Sequence, residues 1–192
     1  SATGQCSSFA QQADGFVCSE GCGVVVVQRL SDALKAKNKI YAVLKSIVMN
    51  QDGDGTGLTA PNSEAQIAMH ESALKEAGLT AGDLDYLEAH GSGTVVGDRI
   101  EFQAIQQVHA GYHSPAHPLV IGAVKSTIGH SLSASGMASI FKIMGAFAHG
   151  FIPPNLHYSA ANSAVQPEAI PALIPVEPYA FPPSKHKKRI VQ

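Results

Sequence analysis

The chain has 192 residues, 45% of them hydrophobic and 15% charged, and a formal net charge of −2. That balance suits one core of ordinary size and gives no strong attraction to nucleic acid or an anionic membrane. No apolar run approaches the ~20 residues of a membrane span, and no basic stretch precedes an apolar core at the start. Three cysteines without framework spacing argue for a reducing compartment, with the cytoplasm as the default. The chain opens in a Gly/Ser/Gln loop without a start methionine and closes on "KRIVQ", a strand just beginning. A piece of a longer chain is expected.

In chain order, "GCGVVVVQRL" (21–30) reads as a β-branched strand buried on both faces. "SDALKAK" follows as a helix with Ser31 as N-cap. "IYAVLKSIVMN" (40–50) reads as a second long strand, and "NQDGDGTGLTAPN" as a glycine-rich loop. Residues 63–77 carry Ile67, Leu74 and alanines at helical spacing, with Gly78 as the stop. "LDYLEAH" (84–90) is a strand running into "GSGT", and 97–109 puts Ile100, Ala104, Ile105 and Val108 on one helical stripe. "PLVIGAVKS" is a further strand. Residues 134–148 place Met137, Ile140, Phe141, Met144 and Phe147 on one face, which predicts a mostly buried helix. Beyond Gly150 the chain is proline-rich and irregular. Strands alternating with helices predict α/β layers on a mainly parallel sheet.

Two histidines fall at strand ends, His90 in "EAHGSGT" and His130 in "KSTIGH". In an open α/β sheet the carboxyl ends of strands line the ligand crevice. Glycines beside both let a substrate come close. Two imidazoles in one crevice could donate to a developing oxyanion or exchange protons near neutral pH. The residues alone leave open whether these two share a site or are unrelated. They also leave open whether Cys6 in "GQCSSF" is a nucleophile or a buried structural thiol. No strand precedes it to thrust the thiol into a crevice, which favours the structural reading.

"EAHGSGTVVGDRIE" and "VKSTIGHSLSASGMASIFKIM" resemble two segments of β-ketoacyl synthases. "GQCSSFAQQADGFVCSEGCGVVVVQRLSDAL" and "NQDGDGTGLTAPN" resemble two more, in the same order, and "PPNLHY" resembles a loop that follows. Ketosynthase domains of type I polyketide synthases and animal-type fatty acid synthases are the most similar. The resemblance implies a thiolase-like α/β/α/β/α fold, incomplete here. Residues 1–38 would be the end of the N-terminal half, and 39–192 the C-terminal half, cut before its final glycine-rich segment. It implies an acyltransferase that performs decarboxylative Claisen condensation of an acyl thioester with carrier-bound malonyl. His90 and His130 match the active-site histidines, Lys125 the active-site lysine, and Glu101 its carboxylate neighbour. Ser92 and Thr94 match hydroxyls that contact the phosphopantetheine arm of the acyl carrier protein, or are ordinary turn residues. The nucleophilic cysteine would lie upstream of residue 1, so the isolated chain is expected to be inactive. No metal or bound cofactor is implied. The partners are an acyl carrier protein and a second copy of the intact protein, with no nucleic acid or membrane. Ser92 stands where threonine is usual, Thr127 where asparagine is, Arg99 where proline is, and Ala10 where aspartate is.

Other readings carry less. A catalytically silent thiolase-fold protein that shapes an acyl tunnel or a dimer is the main alternative, though it would have no need for both histidines. A thiolase working without malonyl is another, and the "HGSGT" and "GH" pair favours decarboxylative chemistry over it. "DGDGTG" (52–57) imitates a calcium loop, but the twelfth position is Ser63 and Pro61 intrudes. His109, His113 and His117 have metal-like spacing, but Gly111, Pro115 and Pro118 break a helix there, so a solvated loop is expected. "GHSLS" lacks the second glycine of a nucleophile elbow. "KHKKR" (185–189) reads as a solvated basic face, with docking of an acidic carrier as the alternative.

Overall fold

A computed structural model describes residues 1–53, 60–183 and 188–192. Its helices are α1 (Leu30–Lys35), α2 (Ser63–Ala77), α3 (Val95–His109), α4 (Lys125–Ile128) and α5 (Ser135–His149). Its strands are β1 (Tyr86–Glu88), β2 (Leu119–Gly122), β3 (Phe151–Ile152), β4 (Ala172–Leu173) and β5 (Tyr179–Ala180). β1, β2 and β4 form a parallel sheet in the order β1-β2-β4, and β3 pairs antiparallel with β5. The final residues extend the sheet beyond β1, where Tyr86 bridges Val191 and Glu88 N donates to the Gln192 carbonyl at 2.9 Å.

Strand periodicity sends alternate residues to opposite faces. Leu87, Leu119 and Ile121 join Phe9, Phe102 and Ile105 in one core. Tyr86 and Val120 join Ala146, Ile152 and Phe181 in the other. The sheet is thus covered on both sides, as its parallel strands require. α2 has the stop and start its sequence promised. Asn62 accepts from the backbone of Glu64 and Ala65, and Gly78 closes the helix at φ 67°. No helix among the described residues is long and apolar enough to cross a membrane.

Several expectations are corrected. Neither 21–30 nor 40–50 forms a strand: no ladder reaches them, and Val24, Val26, Val27, Ile47 and Met49 are exposed. Their apolar runs encode burial, but a strand needs a neighbour to take its N–H and C=O groups, and no described strand lies beside them. Ser31 is not the N-cap of α1; that position is Arg29, which makes no side-chain cap bond. α5 buries only Ala146 fully, and Ile140 and Phe141 stand exposed. His109 is not in a solvated loop. It is fully buried at the end of α3, with Nδ1 3.0 Å from Nε2 of His113, while His117 is exposed in the turn beyond. Burial and its histidine neighbours push His109 down to about 3. Arg189 is not a solvated charge either. Its guanidinium lies over the rings of Phe147 and Phe181 and donates to both their carbonyls at 3.0 Å. The remainder of the loop 52–57 beyond Gly53, and 185–187 of the basic run, lie outside the described residues.

Candidate active site

β1 ends at Glu88 and delivers His90 to the carboxyl end of the sheet. β2 ends at Gly122 and delivers Lys125 and then His130 to the same end. The ring centroids of His90 and His130 are 5.3 Å apart at an interplanar angle of 80°. The two histidines therefore share one place, although 40 residues separate them in the sequence. Phe16 stands edge-on to the far side of His130, with centroids 5.0 Å apart.

His130 is fixed by the distant Val17–Ser19 segment and by its own loop. Its N–H donates to the Val17 carbonyl at 2.8 Å and its carbonyl accepts from Ser19 N at 3.0 Å. Its Nδ1 accepts from Leu132 N at 3.1 Å. In the neutral ring that leaves the proton on Nε2. Leu132 makes this contact from a left-handed backbone, φ 48°. His90 is fixed through its backbone: its N–H donates to Glu101 Oε1 at 2.6 Å and its carbonyl accepts from Lys125 Nζ, also at 2.6 Å. Gly91 N donates to the other carboxylate oxygen of Glu101 at 2.8 Å. Gly91 must be glycine. Its φ is +43°, and a Cβ there would lie 2.5 Å from Ala123 Cβ and 3.2 Å from the Phe9 ring.

Burial, then the charge of Lys125, then His130, push His90 down to about 4. Burial and Lys125 lower His130 as well. Both rings are thus neutral at pH 7, which leaves each with one ring N–H able to donate. Glu101 is pushed up to about 7 by burial, against the pull of the Gly91 and His90 amides and of Lys125. Lys125, 2% exposed, is lowered by burial and supported by Glu101, Glu88, Cys6 and Asp98.

Ser92 is buried, Thr94 is half-buried, and their hydroxyls lie 3.1 Å apart. Cys6 is buried, with its Sγ accepting from Val17 N at 3.2 Å, inside the loop that also holds His130. Among the described residues no group of three His, Cys, Asp or Glu side chains is disposed to hold a metal ion.

Sequence reasoning missed three buried polar side chains. Asp98 accepts from Phe9 N at 2.6 Å and Gly93 N at 3.0 Å. Burial pushes it up to about 6 against the pull of those bonds. It holds Phe9 at φ 62°, an unusual backbone for a buried aromatic residue. Its spacing of three from Glu101 on α3 puts both carboxylates on one helix face, a signal that was available. Asn155 accepts from Ala123 N and Ser126 Oγ and donates to the Ser8 carbonyl, at 3.0, 3.2 and 3.2 Å. Glu88 accepts from Val124 N at 2.6 Å. Neither is legible from the sequence, because the backbone amides they hold, Ala123 N and Val124 N, are 32 and 36 residues away.

The fold is the thiolase-like one of ketosynthase domains, and its parallel sheet brings two imidazoles, a buried lysine and two carboxylates to its carboxyl end. Solved structures agree. The ketosynthase from module 6 of the bacillaene synthase of Bacillus subtilis 168 superposes with a TM-score of 0.91 at 32% identity, over 100% of this chain and 34% of that one. An oxazolomycin ketosynthase domain from a Streptomyces albus strain gives 0.89 at 35% identity, over 99% and 33%. The chain belongs to the β-ketoacyl synthase family: it matches the C-terminal domain of that family over residues 41–159 and the N-terminal domain over 1–33. Among curated relatives, one of the phenolphthiocerol/phthiocerol polyketide synthase proteins of Mycobacterium tuberculosis is 41% identical over 190 residues, 98% of this chain and 10% of the relative. Erythronolide synthase EryA3 of Saccharopolyspora erythraea is 44% identical over 165 residues, 86% of this chain and 5% of the relative. The chain thus spans about a third of the solved ketosynthases and a tenth or less of these polyketide synthases.

Proposed function

We propose that this chain is the histidine-bearing part of a polyketide synthase ketosynthase that joins an acyl group to a malonyl unit by decarboxylative Claisen condensation. Residues 1–38 close its first half and 39–192 form most of its second. The observation that carries the reading is the 5.3 Å pairing of His90 with His130, both held neutral. A malonyl thioester on the acyl carrier protein would place its carbonyl oxygen between the two ring N–H groups. His130 would donate through Nε2, since Leu132 N occupies its Nδ1 side. As the bond to the carboxylate breaks, carbon dioxide leaves and its electron pair passes to the α-carbon. The resulting enolate spreads its charge onto the thioester oxygen, where the donors are already aimed. The α-carbon then attacks an acyl group carried as a cysteine thioester and expels the thiolate.

Lys125 and Glu101 support His90 through its backbone, Lys125 at its carbonyl and Glu101 at its N–H. Ser92 and Thr94 would meet the amides of the phosphopantetheine arm, with Thr94 the more accessible. The buried, backbone-bonded Cys6 would be structural, and the nucleophile would come from a longer chain, working as a homodimer in the cytoplasm.

The test uses carrier-bound malonyl and an acyl thioester. The 192-residue chain alone should form no ketoacyl product, and an intact ketosynthase carrying this segment should. Product from the chain alone would overturn the missing-nucleophile reading. An intact protein that self-acylates but never decarboxylates malonyl would favour the catalytically silent alternative.

A further inference from the structure

Glu88 is a buried carboxylate that the chemistry above does not use. Its side chain is 1% exposed and lies 2.8 Å from Nζ of Lys142, itself 7% exposed. Tyr86 OH donates to the same oxygen, Oε2, and the other oxygen accepts from Val124 N at 2.6 Å. Burying such a pair costs several kcal/mol of desolvation per ion, so burial alone gives no reason to keep it. Gly122, opposite Glu88 in the β1–β2 register, leaves space for it. A Cβ at 122 would lie 2.7 Å from Tyr86 OH and 3.0 Å from Lys142 Nζ.

What the carboxylate holds is the point where α4 begins. Val124 is the residue before Lys125, and its carbonyl accepts from Thr127 N and Ile128 N at 2.9 and 3.2 Å. The preceding amide, Ala123 N, is taken by Asn155. Two consecutive amides are thus clamped by buried side chains, and the next residue extends its Nζ to the His90 carbonyl. Glu88 is also two residues before His90 on the same strand exit. One side chain therefore ties the two strands that deliver the two ends of the Lys125–His90 contact.

We propose that Glu88, braced by Lys142 and Tyr86, is the positioning residue for Lys125. The inference rests on the ketosynthase reading above. Glu88 acts through the Val124 amide and, by its charge, favours the ammonium form of Lys125. The other groups facing that ammonium are Glu101, Asp98, Cys6, His90 and His130, and none of them changes in the variants below.

The experiment compares Glu88→Gln and the double variant Glu88→Gln/Lys142→Met in an intact ketosynthase carrying this segment. It reads melting temperature, the pH dependence of malonyl decarboxylation on the carrier protein, and the titration of the Lys125 ε-carbon by NMR in lysine-labelled protein. Glu88→Gln should slow decarboxylation about 10-fold, the scale of a small misplacement. It should also move the alkaline limb and the Lys125 titration down by ~1 pH unit, as loss of a nearby opposite charge does. The double variant restores charge balance in the core, so its melting temperature should recover while the alkaline limb and the Lys125 titration stay displaced. Recovery of all three in the double variant would make Glu88 merely structural and overturn the proposal. So would an unmoved Lys125 titration in a folded Glu88→Gln protein. If the unsubstituted protein decarboxylates nothing, the ketosynthase reading fails, and the Lys125 titration still decides this one.

Discussion

Replacing Lys125 with methionine should raise the pKa of His90. His90 sits at about 4 against an ordinary 6.5, and the causes in order are burial, Lys125 and His130. Methionine keeps the bulk and the burial and removes only the second cause. The recovery should therefore be less than half of the gap, ~1 pH unit, the effect of one close cation, which puts His90 near ~5. His130 should move the same way, since Lys125 is its second cause after burial. Glu101 and Asp98 should rise further, because each loses the cation that opposes its burial. The assay is an NMR titration of the histidine ring carbons from acid to neutral pH in labelled protein. A His90 that fails to move, or falls, would show that the Lys125 charge does not reach the ring, and the electrostatic account of its neutrality would be refuted.

Glu101→Gln should flatten the pH dependence of stability between about 4.5 and about 7. The folded pKa of Glu101 is raised, so its contribution is fully present below 4.5 and is lost as pH rises through about 7. Urea midpoints across that window check it, and an unchanged slope would contradict it. Asn155→Leu leaves Ala123 N, Ser126 Oγ and the Ser8 carbonyl without their buried partner and should cost about 3 kcal/mol. A loss below about 1 kcal/mol in denaturant unfolding would contradict the clamp. Leu132→Gly relieves a left-handed backbone and keeps the N–H that fixes His130, so stability should hold or rise by up to about 1 kcal/mol. A clear loss would place the value of Leu132 in its side chain.

The sequence made the local parts of this structure legible and left the relational parts hidden. α2 is legible over 63–77, with Gly78 as its stop, because its apolar stripe and stop signal are local, while the Asn62 cap is added by the structure. β1 and α3 are legible within two residues of their ends, and β2 within four, because both cores select apolar residues at strand and helix periods. The runs at 21–30 and 40–50 show the limit: valine and isoleucine report a wish for burial, and only a partner strand converts it into a ladder. His109 was misplaced for a related reason. The glycine and prolines that end α3 are visible, but the packing that covers its last turn comes from elsewhere in the chain. At the candidate site, His90, His130, Lys125 and Glu101 could be singled out by strand-end position and resemblance, and they do come together. Glu88 and Asn155 could not, because they accept backbone N–H groups 36 and 32 residues away; for Asp98 the spacing from Glu101 is visible, but not the Phe9 N–H 89 residues away that it holds.

The central claim is that His90 and His130 together polarise the malonyl thioester and take no essential part in loading the acyl group. The direct measurement is His130→Ala in an intact ketosynthase carrying this segment, with two half-reactions followed separately: release of carbon dioxide from carrier-bound malonyl, and self-acylation by an acyl thioester. The account predicts that decarboxylation disappears while self-acylation stays largely intact. Loss of both half-reactions together, or decarboxylation that persists without His130, would contradict it.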